Sequence, residues 1–368
     1  MRMVEWKKLG EVCELERGVR VIKKDLQEEG LIPVYQNSLT PLGYFDKSNY
    51  PANTPFVICA GAAGEIGFCN KPFWAADDCT CILCSSSVNK KFIYYCLLVK
   101  QHTLKSQVRK ASVPRLSKEV IGKLIVPIPS MSEQERVVGI LDTFISSIDN
   151  LKQQIAQRRK QYEYYRDQLL DLEGKEGVEM KTLGEIGEFI RGNGIQKSDF
   201  VEDGFGCIHY GQIHAKYGFS ATETISKIRE DLYRRCKKAQ KGDVVLATTS
   251  EDAEGVAKPF VWLGEDEVAV SGDAFIYHHN QIGKFMGYQF LTHKFMQFKV
   301  KNATGAKVVR ISGDNLAKFK VALPPLSEQQ RIVSILDTFE DSIQNLEAQL
   351  EQRQKQYEFY RNILLSFE

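Results

Sequence analysis

The sequence has no long apolar run. No stretch of its 368 residues approaches the roughly 20 apolar positions that a membrane-spanning helix needs. The opening residues, with Trp6, Lys7 and Lys8, lack the apolar centre of a signal peptide. These absences read as a cytoplasmic protein with no membrane partner. A paired cysteine framework is also missing: nine is an odd count, with seven in the first half and two in the second. Cys79, Cys81 and Cys84 lie in an alternating apolar run, so they are expected to be thiols in a buried strand rather than metal ligands. Charge is nearly balanced, with 49 bases against 47 acids, and a net +2 says little about a polyanionic partner. The motifs of familiar chemistry are absent as well. There is no Gly-x-x-x-x-Gly-Lys-Ser/Thr loop, no His-Glu-x-x-His, no Gly-x-Ser-x-Gly and no Asn/Asp-Pro-Pro-aromatic. Gly61 to Gly67 is glycine-rich, but its spacing suits a tight turn between strands. The chain is therefore expected to hold no catalytic residue, metal or cofactor.

What is present is a repeat. Val126–Leu170 recurs 195 residues later as Val321–Leu365, with 27 identities in 45 positions and no gap. That period is too long for a solenoid unit and indicates a duplicated domain plus helix. Pro129 and Pro324 close the segment before each helix. Ser132 and Ser327 are the expected N-caps, with Glu135 and Gln330 completing capping boxes. The apolar positions then step by three and four: Leu141, Phe144, Ile148, Leu151, Ile155, Arg158 and Tyr162, continuing to Tyr165 and Leu169. The second copy runs Leu336, Phe339, Ile343, Leu346, Leu350, Arg353 and Tyr357, then Tyr360 and Leu364. This is heptad spacing, broken in both copies at the same slot by an arginine, as polar register-setting positions break coiled-coil cores. Ser132 to Leu170 would span roughly 57 Å at ~1.5 Å per residue. So narrow a stripe needs a partner helix, and the other copy is the obvious one, in either direction.

The regions before the helices are also related. Trp6–Val12 matches Met180–Ile186 at an offset of 174, and Arg17-Gly18 matches Arg191-Gly192. The offset drifts from 174 to 195, so the second copy holds about twenty extra residues before Pro324, of the kind that fall in surface loops. Strands are expected over Ile32–Gln36, Phe56–Cys59, Ile66–Cys69 and Thr80–Cys84, and over Cys207–Gly211, Asp243–Thr248, Lys258–Leu263 and Ala274–Tyr277. One helix follows in each copy, about Lys91–Lys105 and Lys284–Lys299, its aromatic stripe directed to the core. The fold class is α+β: two duplicated mixed α/β globular domains separated by two long helices. The boundaries are 1–129, a first helix over 130–173, a linker at 174–178, 179–324, and a second helix over 325–368. Each helix is preceded by a basic run, with seven bases and one acid in Lys100–Lys123 and again in Lys294–Lys320. Clustered bases on a modest overall charge are a footprint of phosphate contact. The second domain adds Arg229, Arg234, Arg235, Lys237, Lys238 and Lys241.

These features resemble the specificity subunits of type I restriction–modification systems. The resemblance covers the whole chain. It is carried most specifically by Pro-Ser-Met-Ser-Glu-Gln-Glu-Arg at Pro129–Arg136 and Pro-Pro-Leu-Ser-Glu-Gln-Gln-Arg at Pro324–Arg331, each opening a long helix. The Trp6–Val12 opening, its echo at Lys181–Ile186 and the order domain, helix, domain, helix carry the rest. The resemblance implies two target-recognition domains, each reading half of a bipartite site on double-stranded DNA, and helices packed as an antiparallel coiled coil. It implies two methyltransferase (modification) subunits docked on the helices, joined by restriction subunits with motor and nuclease activity. S-adenosylmethionine, ATP and Mg would belong to those partners, and this chain would be non-catalytic. Within that frame Arg109, Lys110, Arg115, Lys307 and Arg310 are expected at phosphates or grooves. Gln36, Asn37, Tyr210 and Gln212, at matching strand ends, are candidates for base edges. A modification system with a fused nuclease–methyltransferase partner, or a coiled-coil adaptor without a nucleic-acid role, are the alternatives.

Overall fold

The computed structural model describes residues 4–22, 24, 26–305 and 307–367. It forms two compact units, Met1–Gln153 with Glu347–Glu368, and Gln154–Leu346. The boundary falls within the long helices, Met131–Leu170 and Leu326–Ser366, so each unit takes part of both.

In the first unit Val137 and Leu141, early in the first helix, share a buried cluster with Leu365, and Tyr357 and Leu364 pack against it. In the second, Leu170 shares a cluster with Ile332, Val333 and Leu336, with Tyr162 and Leu169 against it. Early residues meet late ones in both units, so the helices run antiparallel. The seam is shallow. Leu141, Ile148, Leu151, Ile155 and Leu336 are buried, whereas Ile343, Leu346 and Leu350 are half-buried. Phe144 stacks on Tyr360 at 5.4 Å between centroids, and Phe339 on Tyr165 at 5.5 Å. The two seam breaks fill equivalent places: the Arg353 guanidinium sits 5.8 Å over the Phe144 ring, and that of Arg158 5.8 Å over Phe339. A shallow seam lets an arginine lay its stem and cationic face on an aromatic ring while its head stays near water.

The expected capping boxes are not formed. The helices begin at Met131 and Leu326, so Ser132 and Ser327 lie inside the first turn. Gln134 and Gln329, both fully buried, organise the entry instead. Each side-chain amide donates to the proline carbonyl before the helix, at 2.9 Å from Pro129 O and Pro324 O. Each side-chain oxygen accepts a backbone N–H from the domain, Asn89 at 2.8 Å and Ile282 at 3.2 Å. A buried carboxamide that satisfies two otherwise orphaned backbone groups outweighs an exposed hydroxyl cap. About two turns on, Asp142 accepts from Lys91 Nζ (2.8 Å) and the Tyr95 hydroxyl (2.5 Å). Asp337 accepts from Lys284 Nζ (2.9 Å) and the Tyr288 hydroxyl (2.7 Å).

The first domain holds a four-stranded antiparallel sheet ordered Cys13–Arg17, Cys79–Cys84, Thr54–Ile58, Ile66–Cys69. A second sheet is ordered Gly43–Phe45, Ile32–Tyr35, Trp74–Ala75, its last pair parallel. The second domain repeats both. Its larger sheet runs Gly187–Arg191, Ala274–His279, Val244–Ala247, Lys258–Trp262, with Ser220–Ala221 at the edge. In its other sheet Ser226–Ile228, Phe205–Ile208 and Val268–Val270 are flanked by Phe200–Val201 and Lys238–Ala239. Glu5–Lys8 pairs with Ile125–Ile128, and Glu179–Thr182 with Lys320–Leu323, closing each domain just before its helix.

Three expectations change. The strand foreseen over Cys207–Gly211 stops at Ile208, and the chain turns into a helix, Tyr210–Ala215, because the His209 ring caps it by accepting from Gly211 N at 3.1 Å. Each helix before the basic run is two, Lys90–Val99 with Gln101–Ser106, and Gly283–Gln289 with His293–Asn302. The extra residues of the second domain are not simple loops. Residues 209–243 supply two short helices and edge strands to both sheets, where the first domain has only 36–53. The cysteine run is a strand as read, with Cys79 and Cys81 fully buried and their thiols pushed up in pKa by that burial.

Replacing Asp142 or Asp337 with alanine leaves a buried tyrosine hydroxyl without its acceptor and should cost about 1–3 kcal/mol in urea unfolding. The two losses, in separate units, should add in the double variant. A change under about 0.5 kcal/mol at both would refute this role of the two carboxylates.

Candidate nucleic-acid interface

In each domain the parallel strand pair ends beside a small hairpin. In the first domain Ala76 N donates to Tyr35 O (2.8 Å), setting 36–38 beside 76–78. Gly61 N donates to Pro114 O (3.2 Å) and Ala62 N to Asn37 O (2.9 Å), bringing in the glycine turn and the basic segment. Gly61 has φ +78°, and a Cβ there would lie 2.9 Å from Asn37. The basic segment is a hairpin: Arg109 and Arg115 exchange backbone hydrogen bonds at 2.8 and 3.2 Å, leaving 110–114 as an exposed tip. Arg17, Asp77, Asp78, Arg109, Arg115 and Lys118 line a cleft of about 390 Å³.

The second domain repeats the construction. Ser271 N donates to Ile208 O at 3.0 Å. Thr304 and Arg310 exchange two backbone bonds of 2.8 Å around a tip that includes Lys307. Arg310 then pairs with Thr249, and Val309 with Ser250, as Arg115 bridges Ala60 in the first domain. The short helix is tied in through His214, whose Nε2–H donates to Thr249 O at 3.0 Å.

Gln36, Asn37, Arg109, Lys110 and Arg115 thus lie in adjoining segments of one domain. Tyr210, Lys307 and Arg310 lie in the matching segments of the other. Gln36 is partly engaged, donating to Asp78 Oδ2 at 3.4 Å. Gln212 does not fit its expected role. It is 6 % exposed, donates to Ser226 Oγ (2.6 Å) and accepts from His209 N (3.3 Å), so it braces the helix start. The basic run of the second domain is also less available than its count suggests. Lys299 is buried and Lys294 pairs with Glu173, while among the additional bases Arg229, Arg234, Arg235 and Lys241 pair with carboxylates.

Arg17 and Arg191 belong to this surface and were visible only as a duplicated Arg-Gly pair. Arg17 Nε donates to Asp77 O (2.6 Å) and Arg191 Nε to Gly272 O (2.9 Å). The glycine that follows is required by space: a Cβ at Gly18 would lie 2.2 Å from Ala76 O, and at Gly192 2.3 Å from Ser271 O. A second feature was missed. Tyr164 and Phe359, equivalent under the 195 shift and just off the seam, are each 61 % exposed.

Comparison with known proteins matches residues 2–158 and 175–353 to the type I restriction modification DNA specificity domain. The chain belongs to the type I restriction–modification DNA specificity family. The Escherichia coli EcoR124I/EcoR124II specificity subunit is 31% identical over 393 residues, covering 99% of this chain and 94% of that one. A Haemophilus influenzae type I specificity subunit is 29% identical over 398 residues, covering 99% and 96%. The fold matches the crystal structure of a type I S subunit from M. genitalium at TM-score 0.64 and 16% identity, covering 99% of this chain and 97% of that one. It also matches, at TM-score 0.61 and 16% identity, a chain from a structural study of type I system assembly, covering 100% and 97%. The specificity subunit recognised from the paired helix openings is thus the family found, and no helix among the described residues is long and apolar enough to cross a membrane.

Gly18→Ala or Gly192→Ala should destabilise its domain by about 2 kcal/mol or more, because the overlap is with backbone rather than a movable side chain. Thermal unfolding of each variant checks this, and an unchanged midpoint would contradict the packing.

Proposed function

We propose that this specificity subunit reads a bipartite site on double-stranded DNA, one half per domain, through the two arginine hairpins and the strand ends beside them. The observation that carries this reading is the duplication of that surface. Two diverged domains keep the same hairpin, the same arginine paired to the same strand end, and the same Arg-Gly corner. A solvated surface has no reason to repeat those details. Guanidinium groups at a hairpin base can hold phosphates, while the exposed tip and neighbouring polar groups reach base edges. The antiparallel helices would set the separation of the half-sites and dock two methyltransferase subunits, with restriction subunits joining them. S-adenosylmethionine, ATP and Mg would act in those partners, in the cytoplasm, and this chain would be non-catalytic. Tyr164 and Phe359 suit docking, since large aromatics left in solvent at equivalent positions are typical interface anchors.

Arg310→Ala, in complex with the modification subunits, should weaken DNA binding about tenfold and lower the salt slope by about one. Unchanged affinity would remove it from the interface. Exchanging Leu183–Leu323 for the same domain of a relative should alter one half of the methylated motif; alteration of both halves would defeat the two-reader scheme. Tyr164→Ala and Phe359→Ala should each cost about 2 kcal/mol in association with the modification subunits, read by titration, with domain stability retained.

A further inference from the structure

One turn between neighbouring strands of the larger sheet differs between the domains. In the first it joins Thr54–Ile58 to Ile66–Cys69; in the second it is the longer 248–257 segment between Val244–Ala247 and Lys258–Trp262. The longer loop leaves the sheet against the arginine hairpin, since Thr249 pairs with Arg310 and Ser250 with Val309. Its turn is self-braced: Gly255 N donates to Asp252 Oδ1 at 2.7 Å, and a Cβ at Gly255 would lie 2.2 Å from Ser250 Oγ. Its far end, Val256 and Ala257, is fully buried in the same cluster as Phe295.

Beneath the loop lies Lys299, on helix His293–Asn302 and only 4 % exposed. Its ammonium donates to the carbonyls of Glu254 (2.5 Å) and Val256 (3.0 Å). In the first domain the residue 195 positions earlier is Leu104, apolar and fully buried. A buried ammonium is costly, so the helix has no packing reason to carry one. Burial lowers its pKa to about 8, opposed by Asp252 and Glu254, the charged groups of the loop that face it. The cation is there for the loop, whose inward carbonyls have no strand to pair with.

We propose that Lys299 is a positioning residue for DNA recognition by the second domain: it holds the Ser250–Val256 loop beside Arg310, making that loop part of what reads the second half-site. The inference rests on the DNA-reading role proposed above. Lys299 itself, so buried, touches no DNA. The first domain reads without this device, so the effect must be one-sided.

The test uses the full chain with its modification subunits and compares Lys299→Met with Lys299→Arg. Met keeps the stem but leaves two inward carbonyls unpaired; Arg keeps donors. Hydrogen exchange over 248–257 should speed about tenfold in the Met variant, and discrimination among DNA duplexes varied in the second half-site should fall about tenfold. Discrimination at the first half-site should be unchanged, and Arg should restore both readouts at least in part. Faster loop exchange with intact second-half discrimination, or equal losses at both half-sites, would overturn the proposal. If the Met variant does not fold, Gly255→Ala disturbs the same loop with Lys299 in place, and it must show the same one-sided loss. Arg310→Ala runs in parallel: if it leaves DNA affinity unchanged, the interface itself is misassigned, a failure distinct from that of the lysine.

Discussion

The carboxylates of Asp142 and Asp337 join domain to helix, and the remaining architecture follows from how they are held. Each receives a lysine and a buried tyrosine hydroxyl from the domain, about two turns after a buried glutamine has fixed the start of the helix. With the helix held to the domain at two points along its first turns, it leaves the domain in one direction, and its apolar stripe is presented for a partner. That partner is the far end of the other long helix. The first unit therefore includes Glu347–Glu368, and its core includes Leu365. Its core closes only with the last residues of the chain, so the unit is continuous in space but not in sequence.

The same arrangement explains why the helices have stayed alike while the domains have drifted. Each seam must fit a second copy of itself: Phe144 under Arg353 and against Tyr360 mirrors Phe339 under Arg158 and against Tyr165. A change in one helix has to suit the other, which ties the two sequences together. Within the domains the matching geometry is carried by backbone bonds, Ala76 N to Tyr35 O in one and Ser271 N to Ile208 O in the other. Such bonds ask little of the side chains above them. The surface that meets DNA in the proposed function can then change residue by residue without moving its frame, and Gly18 and Gly192 persist because the frame leaves no room for a Cβ.

Lys299 shows the limit of reading charge along a chain. In sequence it is one of seven bases in a run; in space it is inside the protein with its ammonium spent on two carbonyls. Gln212 is a similar case, a polar residue at a strand end that proves to brace a helix. Arg17 and Arg191 err the other way, recognisable as a repeat but with nothing local to place them beside hairpins some ninety or more residues further on.

The sequence by itself determined the duplication, the two long helices, their heptad seam and the family, because periodicity and repetition are properties of the chain read in order. Periodicity left open the direction of helix pairing, since a seam fits a partner running either way; the antiparallel direction was implied only by the family resemblance. The tertiary structure settled it as antiparallel, by setting Leu141 with Leu365 and Leu336 with Leu170. It also decided which of the many bases are free at a surface. That depends on which carboxylate or carbonyl lies opposite, and those groups come from distant parts of the chain.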